Sequence, residues 1–183
     1  MQIKIIGIDI SLVKTGFAII KDNGTFINSG VIRSKPSGDK PIDELKRIVR
    51  IAEDIMEKIN PLLPHHGDIL VVIEGLAFGV RNATALTQLS GLNYLLRSLL
   101  LESDIPFIIC QPTTLKKFIT GSGKGEKDKM MMNVFKNYGF EAFDNNVCDA
   151  ASLAFCGAAV IGKPIKKLGV PQQEVVNLLK KQL

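Results

Sequence analysis

Two patterns of apolar residues alternate along the chain. Short runs that are almost continuously apolar, and rich in β-branched residues, occupy 3–10, 68–75 and 106–110. Such runs predict strands that are buried on both faces of a sheet. In 41–59, 82–102 and 130–138 the apolar residues instead recur every three or four positions, which predicts helices that cover the sheet. The chain is therefore predicted to have an α/β fold.

Two further strands are predicted between the first run and the first helix. Asn23-Gly24 lies between β-forming runs at 17–20 and 25–27, an arrangement typical of a hairpin. The second of these strands is predicted to continue through Val31-Ile32. Later helices are predicted at 112–118, 150–161 and 171–183, and we find no internal repeat or domain boundary. We therefore expect one domain, 1–183, with five strands.

Two of the buried strands carry a single carboxylate at their carboxyl ends. These are Asp9 in the first strand and Glu74 in the second apolar run. An ionised carboxylate in an apolar strand is costly unless it is paired, hydrogen-bonded or bound to a metal. Gly7 shares the face of Asp9 and lets a ligand or another backbone approach it. The structural alternatives are that Asp9 caps the turn at Ser11 and that Glu74 lies in a surface turn.

A third acid, Asp149, is expected in the first turn of the Ala-rich helix, where an acid also serves as a simple partner of the helix dipole. Three oxygen donors with no His or Cys beside them favour hard divalent cations over zinc. Two such ions about 4 Å apart hold a phosphate, activate water and stabilise the leaving oxygen. Together with basic loops, the acids predict hydrolysis of phosphodiester bonds.

The charge and composition of the chain favour a polyanionic binding partner. The 183-residue chain has a formal net charge of +5 and a pI near 9.1, which favours such a partner without requiring one. The loop 120–129 is basic and interrupted by Gly, which suits close approach to phosphates, although a solvated flexible loop has the same composition. Nucleic acid is therefore the expected partner.

Cysteine usage and hydropathy bear on location. The three cysteines have no metal-ligand spacing, and their odd number argues against a complete disulfide framework. No stretch approaches membrane-spanning length, and the N-terminus leads directly into a strand. We expect a cytoplasmic protein with no membrane partner.

Four motifs follow one another along the chain. They are Gly7-Ile8-Asp9 with Ser11 and Thr15-Gly16, the strand that ends in Glu74, the basic loop from Gly121 to Lys127, and Asp149-Ala150-Ala151. In order and spacing they resemble the RuvC family of Holliday-junction resolvases, over nearly the whole chain. The resemblance implies an RNase H-like fold, with a mixed five-stranded sheet flanked by helices. It also implies a two-fold homodimer that cuts two opposed strands of a four-way DNA junction.

The resemblance implies roles for individual residues as well. It makes Asp9, Glu74 and Asp149 ligands of Mg²⁺, with Mn²⁺ able to substitute, and it implies two ions in each active site. It places Lys116 and Lys127 near the scissile phosphate and makes Phe78 the aromatic wedge at the junction centre. Two further basic residues, Arg81 beside Phe78 and Lys124 in the basic loop, are expected to bind DNA.

Position 146 departs from the family pattern. Family members usually have an acid or His three residues before the last Asp, where this chain has Asn146. Either a neutral ligand suffices, or Asp144 substitutes, or the chain has been altered to reduce activity. Residues three apart share a helix face, so we expect Asn146 to be the fourth metal ligand and Asp144 to cap the helix. The departure is consistent with a diverged member, such as a phage-encoded one.

The helix predicted at 82–102 has more apolar surface than one sheet face needs. Its stripe consists of Leu86, Leu89, Leu92, Leu96 and Leu99. Small residues at Ser90-Gly91 leave room for a second helix to approach. We therefore expect this helix to form the isologous interface of the homodimer.

Two other functions are consistent with parts of the sequence. The first is a non-catalytic module that binds branched DNA and has kept the fold while losing the chemistry at Asn146. The second is an actin-like, sugar-kinase-type nucleotide-binding domain, since Gly7 to Gly16 also resembles the first phosphate motif of those proteins. Such kinases need two domains and a second phosphate motif, which argues against this alternative at 183 residues.

Overall fold

The computed structural model describes residues 2–62, 68–76, 82–122 and 127–183, with the backbone alone for 127–129. The strands are β1 (Lys4–Asp9), β2 (Lys14–Lys21), β3 (Phe26–Arg33), β4 (Ile69–Glu74) and β5 (Phe107–Cys110). They form one sheet in the order β3-β2-β1-β4-β5. Strand β2 is antiparallel to β1 and β3, whereas β4 is parallel to β1 and β5. The predicted mixed five-stranded sheet is confirmed.

The predicted hairpin joins β2 to β3. Gly24 has a φ of 87°, which favours glycine, and the Asn23 side chain accepts a hydrogen bond from the backbone N–H of Thr25 at 3.0 Å. The Asn-Gly pair therefore supplies both the backbone conformation and the side-chain acceptor that this turn needs. The hairpin turn lies beside the start of β1, at the opposite end of the strands from Asp9.

The helices are α1 (Pro41–Ile59), α2 (Ala83–Glu102), α3 (Pro112–Thr120), α4 (Lys127–Tyr138), α5 (Asn145–Val160) and α6 (Val170–Leu179), with a short 3₁₀ helix at Lys180–Gln182. Asn82 caps α2 and Asp144 caps α5 through their side chains. Because of the Asp144 cap, α5 begins five residues before the predicted start at 150. Asp149 therefore lies in its second turn and not in its first.

Each face of the sheet has its own hydrophobic core. Ile6 and Ile8 of β1 face α1 and α2, whereas Ile5 faces α5, with α3, α4 and α6 packed around it. Since side chains alternate along a strand, Gly7 and Asp9 share the α5 face with Ile5. The functional strand end and α5 are thus on the same side of the sheet.

Glycine brings α5 unusually close to the sheet. A Cβ atom on Gly7 would lie 1.9 Å from the carbonyl oxygen of Ala150, and one on Gly157 would lie 2.6 Å from the Val72 side chain. The sheet and α5 are therefore in backbone contact at Gly7, which the Ala-rich composition of α5 allows. This contact determines where the N-terminal turns of α5 lie relative to the end of β1.

Three expectations about helix faces are wrong in detail. Leu45 of α1 and Phe135 of α4 continue the apolar spacing that predicts burial against the sheet, but they are 55% and 56% exposed. On α2 the buried stripe is Leu92, Leu96 and Leu100. Gly91 itself is exposed, and a Cβ there would lie an ordinary 3.7 Å from Ile48 of α1, so α1 packs beside this part of α2.

Among the helices in the described ranges, none is long and apolar enough to cross a membrane.

Candidate active site

Asp9 and Glu74 end two adjacent parallel strands at the same level. The register pairs Ile8 of β1 with Ile73 of β4, and each acid is the next residue along its strand. Glu74 lies on the same face of the sheet as Leu70 and Val72, which pack against α5. Asp9 lies on that face too. Asp9 is 7% exposed and Glu74 is partly buried. The structure therefore brings these two predicted site residues to one edge and one face of the sheet.

The turn after Asp9 is closed by Ser11 and Thr15. The Thr15 hydroxyl donates to the Ser11 carbonyl at 2.7 Å and accepts from the Ser11 N–H at 3.1 Å. The Ser11 hydroxyl in turn accepts from the backbone N–H groups of Val13 and Lys14. Thr15 is fully buried, so this turn is held rigidly. These bonds give Ser11 and Thr15 a structural role that positions the end of β1.

The N-terminal end of α5 lies over the ends of β1 and β2. Gly16 pairs with Asp9 across the sheet, and a Cβ on Gly16 would lie 2.1 Å from the carbonyl oxygen of Asn146. Gly16 therefore has to be glycine for the first turn of α5 to come this close to Asp9. The backbone of Asn146 therefore lies against the residue that pairs with Asp9.

Asp149 lies on the side of α5 that faces β4 and β5. It is two helical turns before Cys156, which contacts Cys110 of β5, and Cys110 pairs with Glu74. Asp149 is partly buried, and it, Asp9 and Glu74 each have an interaction partner. Ala150, the residue after Asp149, contacts Gly7, so Asp149 lies on the same face of the sheet as Asp9 and Glu74, toward the carboxyl end of β1.

Asp144 holds Asn146 by two hydrogen bonds to one oxygen. Asp144 Oδ1 accepts from the backbone N–H of Asn146 at 2.8 Å and from its side-chain Nδ2 at 2.9 Å. The other Asp144 oxygen, Oδ2, is 3.9 Å from Lys14 Nζ. Because the side-chain Nδ2 of Asn146 donates to Asp144, the side-chain oxygen Oδ1 of Asn146 is directed away from Asp144. This geometry favours Asn146 over Asp144 as the fourth donor of the site.

The donor set suits a hard divalent cation. It consists of three carboxylates and one amide oxygen, with no thiolate or imidazole among them. Within the described ranges, no three side chains of Asp, Glu, His or Cys lie close enough together to hold one ion between them. The residues therefore fit a hard divalent cation by the chemistry of their donors, without forming a closed cluster of acids.

Two amide side chains near Glu74 were not predicted from the sequence. Asn93 of α2 is 2% exposed, and its Nδ2 lies 3.5 Å from the carbonyl oxygen of Glu74. On the other side, the amide of Gln111 would lie 2.5 Å from a Cβ on Gly75. A buried polar residue in an apolar helix is the one signal that pointed to Asn93. Both amides lie at the end of β4, where Asn93 donates to the backbone of Glu74 and Gln111 lies beside Gly75.

The predicted DNA-binding residues have different outcomes. Lys116 is partly buried on α3, whose next residue, Lys117, forms an ion pair with Glu174 of α6. Lys127 begins α4, with its backbone alone described. The expectations for Phe78, Arg81 and Lys124 fall outside the described residues.

The cysteine next to Asp149 is buried and favours the neutral thiol. Burial, with a smaller contribution from the negative charge of Asp149, raises the pKa of the Cys148 thiol to about 12. Metal coordination requires the thiolate, which this environment disfavours at neutral pH. The oxygen donors are therefore the relevant groups at this edge.

Solved structures define the class of protein to which this fold belongs. Thermus thermophilus RuvC matches with a TM-score of 0.66 at 18% identity, over 88% of this chain and 98% of the Thermus chain. The yeast mitochondrial Holliday junction resolvase Ydc2 matches with a TM-score of 0.56 at 15% identity, over 98% of this chain and 84% of Ydc2. The chain thus has the RNase H-like fold of these resolvases, which confirms the predicted fold.

Sequence comparison identifies the family. The family model described as crossover junction endodeoxyribonuclease RuvC matches residues 5–157. Crossover junction endodeoxyribonucleases RuvC from Bartonella bacilliformis and Brucella suis are each 28% identical, over 86% and 85% of this chain and 92% and 87% of their own lengths. The chain belongs to the RuvC family of endonucleases. This membership confirms the resemblance and decides against the sugar-kinase alternative.

Proposed function

We propose that this chain is an endonuclease that resolves four-way and related branched DNA junctions by metal-dependent phosphodiester hydrolysis, giving paired symmetric nicks. One observation carries the proposal. Asp9 and Glu74 end neighbouring strands on the face that is covered by α5, and α5 supplies Asp149 and Asn146 at the same edge. Family membership supplies the reaction class that fits this donor set.

Asp9, Glu74 and Asp149 would hold Mg²⁺, with Asn146 as a neutral fourth donor. Bound there, two divalent cations would supply an activated water and stabilisation of the leaving oxygen. The chain's own contribution is positioning: Ser11 and Thr15 hold the end of β1, and Asn93 donates to the backbone of Glu74 at the end of β4. Asp144 holds the amide of Asn146 so that its oxygen faces away from the helix cap. The metal identity and the number of ions are part of the proposal.

Basic and aromatic side chains would hold the DNA around these acids. Lys116 lies in the middle of α3 and Lys127 opens α4, both helices on the α5 face. Both would contact phosphates close to the cut, with Lys127 assisting catalysis. Lys124 would bind the backbone from the basic loop, and Phe78 with Arg81 would act at the unstacked junction centre. Cations in these positions supply affinity that does not depend on the acids.

We also propose that the active form is a homodimer and that it works in the cytoplasm. Tyr94 and Leu101 of α2 are 64% and 72% exposed and lie two turns apart on one side of that helix. An exposed apolar face of this kind suits an isologous contact, which would present two active sites to one junction. The three cysteines are free and buried, in keeping with a reducing compartment.

Cleavage of a synthetic four-way junction tests the proposal. Junctions labelled in turn on each of the four strands are incubated with Mg²⁺, and the products are compared with those of a linear duplex of the same sequence. We expect symmetric nicks in two opposed strands of the junction and none in the duplex, with loss of all cleavage when EDTA is added.

The same assay tests the non-catalytic alternative. Junction binding without cleavage at any Mg²⁺ or Mn²⁺ concentration would support a binding module that has lost its chemistry at Asn146. If Asn146→Asp then restored cleavage, the loss of activity would be assigned to position 146.

A further inference from the structure

A cluster of Arg and Lys side chains lies beyond the proposed active site, where the edge strand β3 ends and α1 begins. The end of β3 and the first half of α1 line a groove with Arg33, Lys35, Lys46, Arg47 and Arg50, together with Ser34, Ser37 and Asp54. We call Arg33, Lys35, Lys46 and Arg50 the β3–α1 patch. All four are exposed. Among the described residues none of the four forms an ion pair with a carboxylate.

The patch is attached to the turn that follows Asp9. Arg47, which is partly buried beneath the patch, donates to the hydroxyl of Ser34 at 3.1 Å and also to the carbonyl of Leu12. The backbone N–H of Ser34 donates to the carbonyl of Val13 at 3.1 Å. Since these bonds connect the loop after β3 to the loop after β1, the patch has a defined position relative to Asp9.

Cations continue from the site to the patch across the sheet. Lys14 pairs directly with Arg33 in the β2–β3 register. Like charges directly opposite each other destabilise a sheet. Lys14 is balanced in part by Asp144, whereas Arg33 is exposed without a described carboxylate partner. Two opposed cations at this edge are explained by an anionic partner that lies across both of them.

The spacing fits one arm of a DNA duplex. Strand β3 is two strands from β1, and α1 packs one layer behind the sheet, so the patch lies about 10–20 Å from Asp9. At about 3.4 Å per base pair, this corresponds to phosphates about three to six base pairs from the cut.

We infer that the β3–α1 patch binds the phosphate backbone of a duplex arm of the junction, on the far side of the active site from Lys116. This inference rests on the proposed function and adds a second contact surface to it. We expect the patch to contribute position and not sequence preference, because phosphate contacts carry no sequence information. Its role is to orient the arm so that the scissile strand passes over the acids.

The test compares two variants from which four positive charges have been removed. The patch variant replaces Arg33, Lys35, Lys46 and Arg50 by Ala. The matched control replaces Lys163, Lys167, Lys180 and Lys181, which are also exposed and lie away from the patch, beside the β2–β3 hairpin and after α6. Affinity for a four-way junction is measured from low to high salt. Charge-conserving Arg33→Lys and Arg50→Lys together serve as a folding control, and we expect them to keep wild-type affinity.

We expect the patch variant to bind more weakly and to lose about two to four units from the log–log salt slope, since each phosphate contact contributes about 0.9. The control variant should keep the wild-type slope. Equal losses in the two variants would overturn the inference, because net charge alone would then explain the effect.

Neutral DNA locates the contact. Methylphosphonate linkages are placed at about the third to sixth phosphates from the cut, the interval derived above from the strand spacing and the rise of the duplex. They should weaken wild-type binding as much as the patch variant does, and combining the two changes should cause no further loss. Additive losses would show that the patch contacts other phosphates and would overturn the placement. If wild-type protein cleaves junctions normally but the patch variant has the same junction affinity as the control variant, the patch inference alone is refuted. If wild-type protein fails to bind junctions, both proposals are refuted.

Discussion

Asp9 is a carboxylate at the end of an apolar strand, 7% exposed and covered by α5. A buried charge is expensive, so a fold that keeps it has a use for it. Its neighbours Gly7 and Gly16 have no side chains, and in their place the backbone of α5 comes into contact with the sheet. The residues around Asp9 are therefore selected to bring a second set of donors close to this acid.

Removing the charge at the strand ends should separate cleavage from binding. We expect Asp9→Asn and Glu74→Gln each to abolish Mg²⁺-dependent cleavage, because each removes a proposed metal ligand. Junction affinity should remain within a few fold of wild type, since it depends on Lys and Arg. Gel-shift titration and cleavage of the same junction measure the two properties. Near wild-type cleavage by Asp9→Asn would contradict the proposed site.

Asn146→Asp should make stability depend on the metal. The substitution puts a carboxylate where Nδ2 now donates to Asp144 at 2.9 Å, so two like charges face each other. We expect a lower Tm in EDTA, a larger rise in Tm on adding Mg²⁺ than in wild type, and half-maximal cleavage at a lower Mg²⁺ concentration. Thermal melts with and without Mg²⁺ measure the first two effects.

Asp144 supplies the matched comparison for that experiment. Asp144→Ala removes the cap of α5 and should lower the free energy of unfolding by about 0.5–2 kcal/mol, while Asp144→Ser keeps a capping oxygen and should lose less. We expect stability to change more than cleavage. If Asp144→Ala abolished cleavage in a folded protein while Asn146→Asp changed nothing, Asp144 would be the fourth ligand.

At the scale of elements, the contact between β1 and α5 is the main determinant of the site. Strand β1 contributes Asp9, and α5 contributes Asn146 and Asp149. Their relative position depends on backbone contact at Gly7 and Gly16. A change that moves α5 by a small distance should therefore affect activity as well as stability.

Gly7→Ala tests that dependence. The new Cβ would lie 1.9 Å from the carbonyl oxygen of Ala150, which cannot move without α5. We expect a loss of about 1–3 kcal/mol or more in the free energy of unfolding, together with reduced cleavage in the protein that remains folded. Denaturant unfolding and the cleavage rate at saturating Mg²⁺ measure the two effects.

Gly91→Ala is the control for Gly7→Ala. Its Cβ would meet Ile48 at an ordinary 3.7 Å, and Ala is favoured over Gly inside a helix. We expect stability to stay the same or to rise by up to about 1 kcal/mol, with cleavage retained. A loss as large as that of Gly7→Ala would show that close packing against α5 is not the cause.

At the scale of the whole molecule, the two faces of the sheet have separate tasks. The face covered by α5 carries the acids, and the face covered by α1 and α2 supports the β3–α1 patch and the outer surface of α2. Paired symmetric cuts require a second copy of the chain, so the outer surface of α2 is where assembly is tested.

Replacing the exposed apolar residues of α2 should prevent dimerisation. We expect wild-type protein to sediment as a dimer at micromolar concentration, and Tyr94→Glu with Leu101→Glu to sediment as a monomer whose cuts are no longer paired. Leu178→Glu on α6, which is also exposed, should leave the dimer intact. Monomeric wild-type protein, with and without junction DNA, would refute this interface.

Local patterns in the sequence determined the elements and pointed to the acids. Asp9 and Glu74 stood out because each interrupts the end of an apolar run, and Asn23-Gly24 specifies its own turn. Asp144, Asn146 and Asp149 are close enough in the chain that helix spacing alone related them. In each case the physical cause acts over a few residues, so it can be recognised in the sequence.

Tertiary structure decided which surfaces meet. Ile48 of α1 lies beside Gly91 of α2, Phe135 is exposed, and Gln111, which follows β5, lies beside Gly75. The β3–α1 patch likewise combines the end of a strand with a helix face, through hydrogen bonds from Arg47 to two different loops. These contacts join residues that are far apart in the chain, and local periodicity contains no information about which element packs beside which. The sequence therefore pointed to the proposed donors, whereas their common face and the adjoining cationic surface required the packed sheet and helices.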